Sequence, residues 1–205
     1  MWLDSEKVGV RFDEEWGGMP MEDSLGILRC ASVELALEGG STFFQSRNDS
    51  YPLMKKLDSG LVASGVMRKR HGRVLKHTYE LKAKLEGNEL YLDFKLNVPT
   101  TESISRSKVW FLTRWFGKCM VDGKPVKVGE MSPAWKSVKR MAGQPTSVVL
   151  YGDRFSLEIQ GSTDPSVYFA LAKSNKLEAV YGWAEEHIEK GTYAGSFKVI
   201  YGGGR

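Results

Sequence analysis

Two short stretches hold residues whose types and spacing could move protons. In "KHTYELK" His77 and Tyr79 stand two positions apart, so a strand would carry both on one face. An imidazole that is neutral near pH 7 suits a general base. In "FFQSRND" (43–49), Gln45, Arg47 and Asn48 could neutralise a sugar carboxylate. His77, Tyr79, Gln45 and Arg47 together would give a small polysaccharide lyase its base and its carboxylate clamp. The competing reading of His77 is a core histidine with a hydrogen-bonded ring. Paired acids are harder to find. "VELALE" offers Glu34 and Glu38, and "FSLEIQ" offers Glu158. Their parity opposes the apolar side of each strand, which predicts outward, solvated side chains and no acid–base pair for glycoside hydrolysis.

Aromatic residues offer a different chemistry. The chain has six tryptophans, Trp2, Trp16, Trp110, Trp115, Trp135 and Trp183. Trp and Tyr combine a flat apolar face with a polar edge, so they stack on sugar rings while Arg, Asn, Asp and Gln bind hydroxyls. As a strand, "VWFLTRWFGK" (109–118) would alternate Trp110, Leu112, Arg114 and Phe116 with Val109, Phe111, Thr113 and Trp115. Two apolar faces over 109–112 predict cover on both sides. Trp115, beside Arg114 and just before Gly117, is the better candidate for exposure. Trp115, Arg114, Trp110 and Trp183 form the candidate ligand-binding set.

The elements that must carry these residues read as strands. Across 75–98, "LKHTYELKAKLEGNELYLDFKLNV", apolar residues alternate with polar ones at period two, interrupted by Gly87-Asn88, a turn of the primed hairpin type. That loop sets Leu85 opposite Leu90, Ala83 opposite Leu92 and Leu81 opposite Phe94. It also sets Lys82 opposite Asp93 and Glu80 opposite Lys95. A one-residue slip would break both patterns. "KCMVDGKPVKVG" predicts a turn at Asp122-Gly123. "SVVLYGDRFSLEIQG" predicts one at Gly152-Asp153, with Leu150 opposite Phe155 and Val148 opposite Leu157. Further strands are predicted within 31–37, 41–46, 60–67, 166–172, 177–183 and 191–202. Two short helices are predicted. One covers 132–143, with Ser132 as N-cap and Pro133 at the first helical position. The other covers 183–191, with early acids, Lys190 late and Gly191 as its stop.

The sum is an all-β, two-sheet antiparallel sandwich, jelly-roll-like, of ten to twelve strands with one or two short helices. Residues 1–202 form a single domain and 203–205 a disordered tail. A chain of 205 residues needs no staples to bury a core. Cys30 and Cys119 match no C-x-x-C pattern and read as two lone thiols rather than a bridge. No metal or cofactor motif is present. Net charge is only +4. The basic stretch "MRKRHGRVLKH" lacks interleaved aromatics and reads as a hairpin tip, so nucleic acid is not an expected partner. No 18-residue apolar run predicts a membrane span. The acid-rich first 30 residues do not read as a signal peptide, which leaves a cytoplasmic location or secretion after processing.

The pattern resembles the ancillary β-sandwich modules found beside catalytic domains in bacterial glycoside hydrolases. The resemblance rests on "YELKAKLEGNELYLDFKLNV", "VDGKPVKVG" and "GTYAGSFKVIYG". It implies a polysaccharide or oligosaccharide partner and a non-catalytic role. A small lyase or glycoside hydrolase is the enzymatic alternative. An assembly protein docking a partner through an apolar face is the structural one.

Overall fold

The computed structural model describes residues 1–12, 21–23, 28–37, 43–69, 72–113, 117–126, 147–152, 155–160, 167–172, 176–184 and 187–203. Among them the chain is strand throughout, with a single turn of 3-10 helix and no α-helix. The chain opens with β1 (Trp2–Asp4), β2 (Gly9–Phe12) and β3 (Met21–Asp23). Next come β4 (Leu28–Leu37), β5 (Phe43–Gln45) and the 3-10 turn Ser46–Asn48. The middle of the chain is β6 (Leu53–Leu57), β7 (Gly60–Lys69), β8 (Val74–Glu86), β9 (Glu89–Val98) and β10 (Glu102–Thr113). β11 (Lys118–Val121), β12 (Lys124–Val126), β13 (Ser147–Tyr151) and β14 (Phe155–Gln160) follow. The last four are β15 (Val167–Ala172), β16 (Lys176–Ala184), β17 (His187–Ile188) and β18 (Gly191–Gly203).

One antiparallel ladder runs β12-β11-β13-β14-β18-β9-β8-β7-β5-β4-β10-β16-β15, with β6 added to β7 and β17 to β10. β1, β2 and β3 form a separate small sheet. So long a ladder cannot stay flat; it curls and packs on itself as a sandwich. β4 therefore meets β9, and β16 meets β18, although neither pair is adjacent in the ladder. Between them lies one core, in which Val33 and Leu35 of β4 join Leu92, Phe94 and Leu96 of β9 and Val199 of β18. The all-β sandwich expected from the alternation is the observed fold.

The 75–98 hairpin has the predicted register, with Leu85↔Leu90, Ala83↔Leu92, Leu81↔Phe94, Lys82↔Asp93 and Glu80↔Lys95. Gly87 takes a φ of 58°, the left-handed value its turn position demands. On the wet face, Glu80 sits 3.4 Å from Lys95 and 3.6 Å from Lys82, while Asp93 accepts a 2.6 Å hydrogen bond from the Ser196 hydroxyl. The turn at 122–123 is also as predicted, with φ of 45° at Asp122 and 76° at Gly123.

Several expectations change. β13 and β14 pair with Leu150↔Leu157 and Val148↔Ile159, two residues off the predicted register. A two-residue slip keeps every side chain on its face, so the apolar alternation could not detect it. The expected helix at 183–191 is absent. Trp183 belongs to β16, Ile188 is buried in β17, and β18 starts at Gly191. Nine residues with helix caps are too few to outweigh sheet pairing. The expected helix at 132–143 lies outside the described residues. The last strand reaches Gly203, which pairs with Phe155, so Gly203 belongs to the sheet rather than to a tail. Eighteen strands appear among the described residues, more than predicted, because the short strands β1, β2, β3, β6 and β17 were not expected. Cys119 is a free, buried thiol whose pKa burial pushes up to about 11.

Phe94 is fully buried and meets Phe197 edge-on, with centroids 6.3 Å apart. Phe94→Ala should lower the unfolding free energy by about 3–5 kcal/mol. Urea denaturation will show this as a lower midpoint at unchanged m-value.

Candidate functional site

From Ser32 to Ala36, β4 is buried on both faces. Val33 and Leu35 point into the core, and Ser32, Glu34 and Ala36 are equally shielded. Glu34 is 6% exposed, so the expected outward, solvated glutamate is not found. Alternation separates two faces but does not say whether the second is covered. Here β5 and the 3-10 turn supply the cover. Glu34 pairs with Gln45 across the ladder, which puts both side chains on one face. Gln45 Nε2 donates to Glu34 Oε2 at 2.5 Å, and Arg47 Nε donates to Gln45 Oε1 at 2.8 Å. The result is a carboxylate, an amide and a guanidinium in one hydrogen-bonded row.

The turn that carries Arg47 is pinned to β4. Ser46 Oγ accepts the Val33 N–H at 3.0 Å and lies 3.3 Å from Ser32 Oγ. Gln45 also pairs with Arg68 of β7, which extends the polar row by one strand. Arg68 Nε then donates to Asp49 Oδ1 at 3.1 Å. Asp49 is 1% exposed. A carboxylate so buried needs a counter-charge and several donors. Its Oδ2 receives the Val66 N–H at 3.1 Å and the Tyr79 hydroxyl at 3.3 Å. Gly65 makes room: a Cβ there would lie 1.8 Å from Asp49 Oδ2 and 3.0 Å from the Tyr79 hydroxyl.

The two residues expected on the dry face of β8 are both there, but they serve different neighbours. Tyr79 donates to Asp49. Burial, and then the Asp49 carboxylate, push its phenol well above the ordinary range, so it is a neutral donor rather than a base. His77 is 1% exposed, and neither ring nitrogen has a hydrogen-bond partner. The expected alternative, a core histidine with a hydrogen-bonded ring, is thus half right: the residue is in the core and its ring is unbonded. Its nearest charge is Glu102 Oε1, 3.8 Å from Nε2. Burial lowers the His77 pKa below 6.5, with Glu102 opposing. The structure therefore joins Gln45 to Arg47 and Tyr79 to Asp49 and Arg68. It gives His77 no hydrogen bond to any of them.

Of the aromatic set, Trp110 lies on β10 between Ser32 of β4 and Val180 of β16 in register. Trp183 lies on β16 at the irregularity between the pairs Ser107↔Ala184 and Lys108↔Gly182. Arg114 and Trp115 lie outside the described residues. Among the described residues, no three His, Cys, Asp or Glu side chains gather to hold a metal ion. The sequence pattern does not single out Asp49 or Arg68 as site residues. Gly65 was the available signal, since a lone glycine inside a strand pattern marks a close approach.

No family model matches the chain, and no curated protein sequence matches it. Its fold does match solved structures. One is a galactose mutarotase related enzyme from Lactobacillus acidophilus, with a TM-score of 0.58 and 9% identity over 98% of this chain and 97% of the other. A second is a galactose mutarotase-like protein from Lactobacillus casei, with a TM-score of 0.60 and 9% identity over 98% and 99%. A third is a putative aldose 1-epimerase from Escherichia coli, with a TM-score of 0.59 and 8% identity over 98% and 98%. The likeness is thus to mutarotase-like β-sandwiches, not specifically to the ancillary modules of glycoside hydrolases. At these identities it is a likeness of fold.

Two predictions follow from the geometry. Gly65→Ala should lower stability by about 3 kcal/mol or more, because the new methyl displaces the Asp49 carboxylate from its donors. Gly72→Ala, with nothing within 4 Å of its Cβ, should change stability by under about 0.5 kcal/mol in the same thermal unfolding assay. The second concerns pH. Folded His77 titrates below 6.5, so the unfolded chain binds the proton first as pH falls. The stability due to neutral His77 is complete above 6.5 and is lost as pH drops beneath it. His77→Leu should flatten that acid slope by up to one proton, about 1.4 kcal/mol per pH unit, in urea unfolding between about pH 5 and 7.

Proposed function

We propose that this protein binds carbohydrate, with the Glu34–Gln45–Arg47 row as the polar floor of the site, presented to the ligand at the half-buried Arg47. The observation that carries the reading is that row: a planar acceptor, a planar amide with both functions, and a planar donor, linked at 2.5 and 2.8 Å. Vicinal sugar hydroxyls, each a donor and an acceptor, are met by such groups. Trp110, Trp115 and Trp183 are proposed as the stacking surface and Arg114 as a further hydroxyl contact. Support comes also from the names of the fold's solved examples, a galactose mutarotase related enzyme among them. The ligand is a saccharide, from a single aldose to a polysaccharide end.

A second reading makes the same site catalytic. It is favoured by the putative aldose 1-epimerase of like fold and by the carboxylate of Glu34 at the floor. Interconversion of aldose anomers requires one group to take the anomeric hydroxyl proton and another to protonate the ring oxygen. Glu34 is the proposed base.

Isothermal titration with neutral and uronic mono- and oligosaccharides tests the first reading. Saturable binding should weaken at least about tenfold in Glu34→Gln and in Arg47→Ala, with both variants still folded by circular dichroism. A folded protein that binds no saccharide in the panel would refute it. Polarimetry on fresh α-D-galactose and α-D-glucose decides the second: acceleration lost in Glu34→Gln supports catalysis, and an uncatalysed rate rejects it.

A further inference from the structure

The wet face of β8, β9 and β18 is arranged in rows. Lys84, Tyr91 and Lys198 form one, Lys82, Asp93 and Ser196 the next, then Glu80, Lys95 and Ala194, and last Thr78, Asn97 and Thr192. In the first three rows the lysines are paired with acids. Lys84 meets Glu86, Lys198 meets Glu89 at 2.8 Å, and Lys82 and Lys95 share Glu80. The last row is uncharged. Thr192 donates to Asn97 Oδ1 at 2.8 Å, and Asn97 Nδ2 donates to Thr78 Oγ1 at 3.1 Å.

Beyond that row the pairing stops. Lys76 and Lys190 flank a shallow cavity of about 290 Å³, open to solvent, that the Thr78–Asn97–Thr192 row and Pro99 also line. Neither lysine has an acidic partner among the described residues. The nearest acid in sequence, Glu189, is taken by the Thr101 hydroxyl at 2.8 Å and His187 at 2.8 Å. Glu102 accepts from Thr100 at 3.1 Å and faces His77. With the row directed as it is, the Thr78 O–H and one Asn97 N–H are also free to donate. Two ammonium groups and two neutral donors around one cavity match an oxyanion. The volume falls just under the range of small-ligand pockets, about 300–1,000 Å³.

We infer that this cavity is a second ligand site, which takes the anionic group of its ligand, a carboxylate, sulfate or phosphate, between Lys76 and Lys190. It stands apart from the Glu34 floor and does not depend on the carbohydrate reading.

NMR titration of ¹⁵N-labelled protein with inorganic phosphate, sodium sulfate, glucuronate and, as the neutral control, glucose tests it. Saturable shifts confined to the amides of 76–78, 97–98 and 190–192 are expected from the anions and not from glucose. Response to phosphate or sulfate alone would identify a free or ester oxyanion. Response to glucuronate alone would identify a sugar acid. Lys76→Gln with Lys190→Gln should weaken binding at least about tenfold, and Lys82→Gln, on the same face but paired, should not change it. Absence of saturation, shifts spread over the surface, or an equal loss in Lys82→Gln would overturn the site.

Discussion

Asp49 is the constraint on which the polar half of this molecule depends. Its carboxylate is out of water, beside a stretch of β7 that pairs with β8 on one edge and is open on the other, where β6 pairs up to Ser64 and β5 resumes at Arg68. There the acid takes the Val66 N–H, the Arg68 guanidinium and the Tyr79 hydroxyl. Each donor comes from β7 or β8, while the acid comes from the segment just after the 3-10 turn. One buried charge thereby ties that turn to the sheet. Asn48 adds a 3.2 Å bond to the Arg68 carbonyl, so the tie does not rest on charge alone.

What the tie fixes is the position of Arg47, and through it the Glu34 row. A half-buried arginine on a short turn would lose much rotamer entropy on engaging Gln45. Ser46, bonded to the Val33 N–H, and Asp49 hold the turn at both ends, so the backbone is already in place when the guanidinium reaches the amide. Rigid strands supply Glu34 and Gln45, and a clamped turn supplies Arg47. That is the arrangement a precise polar site needs.

The sequence showed most of the frame because the frame is written in period two. In the 75–98 hairpin, dry and wet faces differ at nearly every step, and Gly87 marks the only turn that satisfies both. Between 147 and 160 the same alternation holds, yet it is blind to slips of two residues, so the loop length escaped it. The site was less legible. Glu34 has the parity of a surface acid, and only its cross-strand neighbours reveal that the surface is covered. Gln45 and Arg47 were visible as residues of the right kind at close spacing. Asp49 was hidden among polar neighbours, although Gly65, isolated in an apolar strand, recorded the approach of its carboxylate.

The low identity to solved structures of the same fold has the same physical origin. Ladder order and register depend on which positions are apolar and where the chain turns, and many sequences meet those demands. A sandwich can thus be shared over 97–99% of another chain's length at 8–9% identity. Buried charges are under a different demand. Each needs a partner in this chain, since an unmatched buried charge costs several kcal/mol. Glu34 with Gln45 and Asp49 with Arg68 meet that demand locally, by pairs that the apolar pattern neither requires nor predicts. Chemistry on this fold is therefore a property of those pairs, and it has to be read from this chain's own residues.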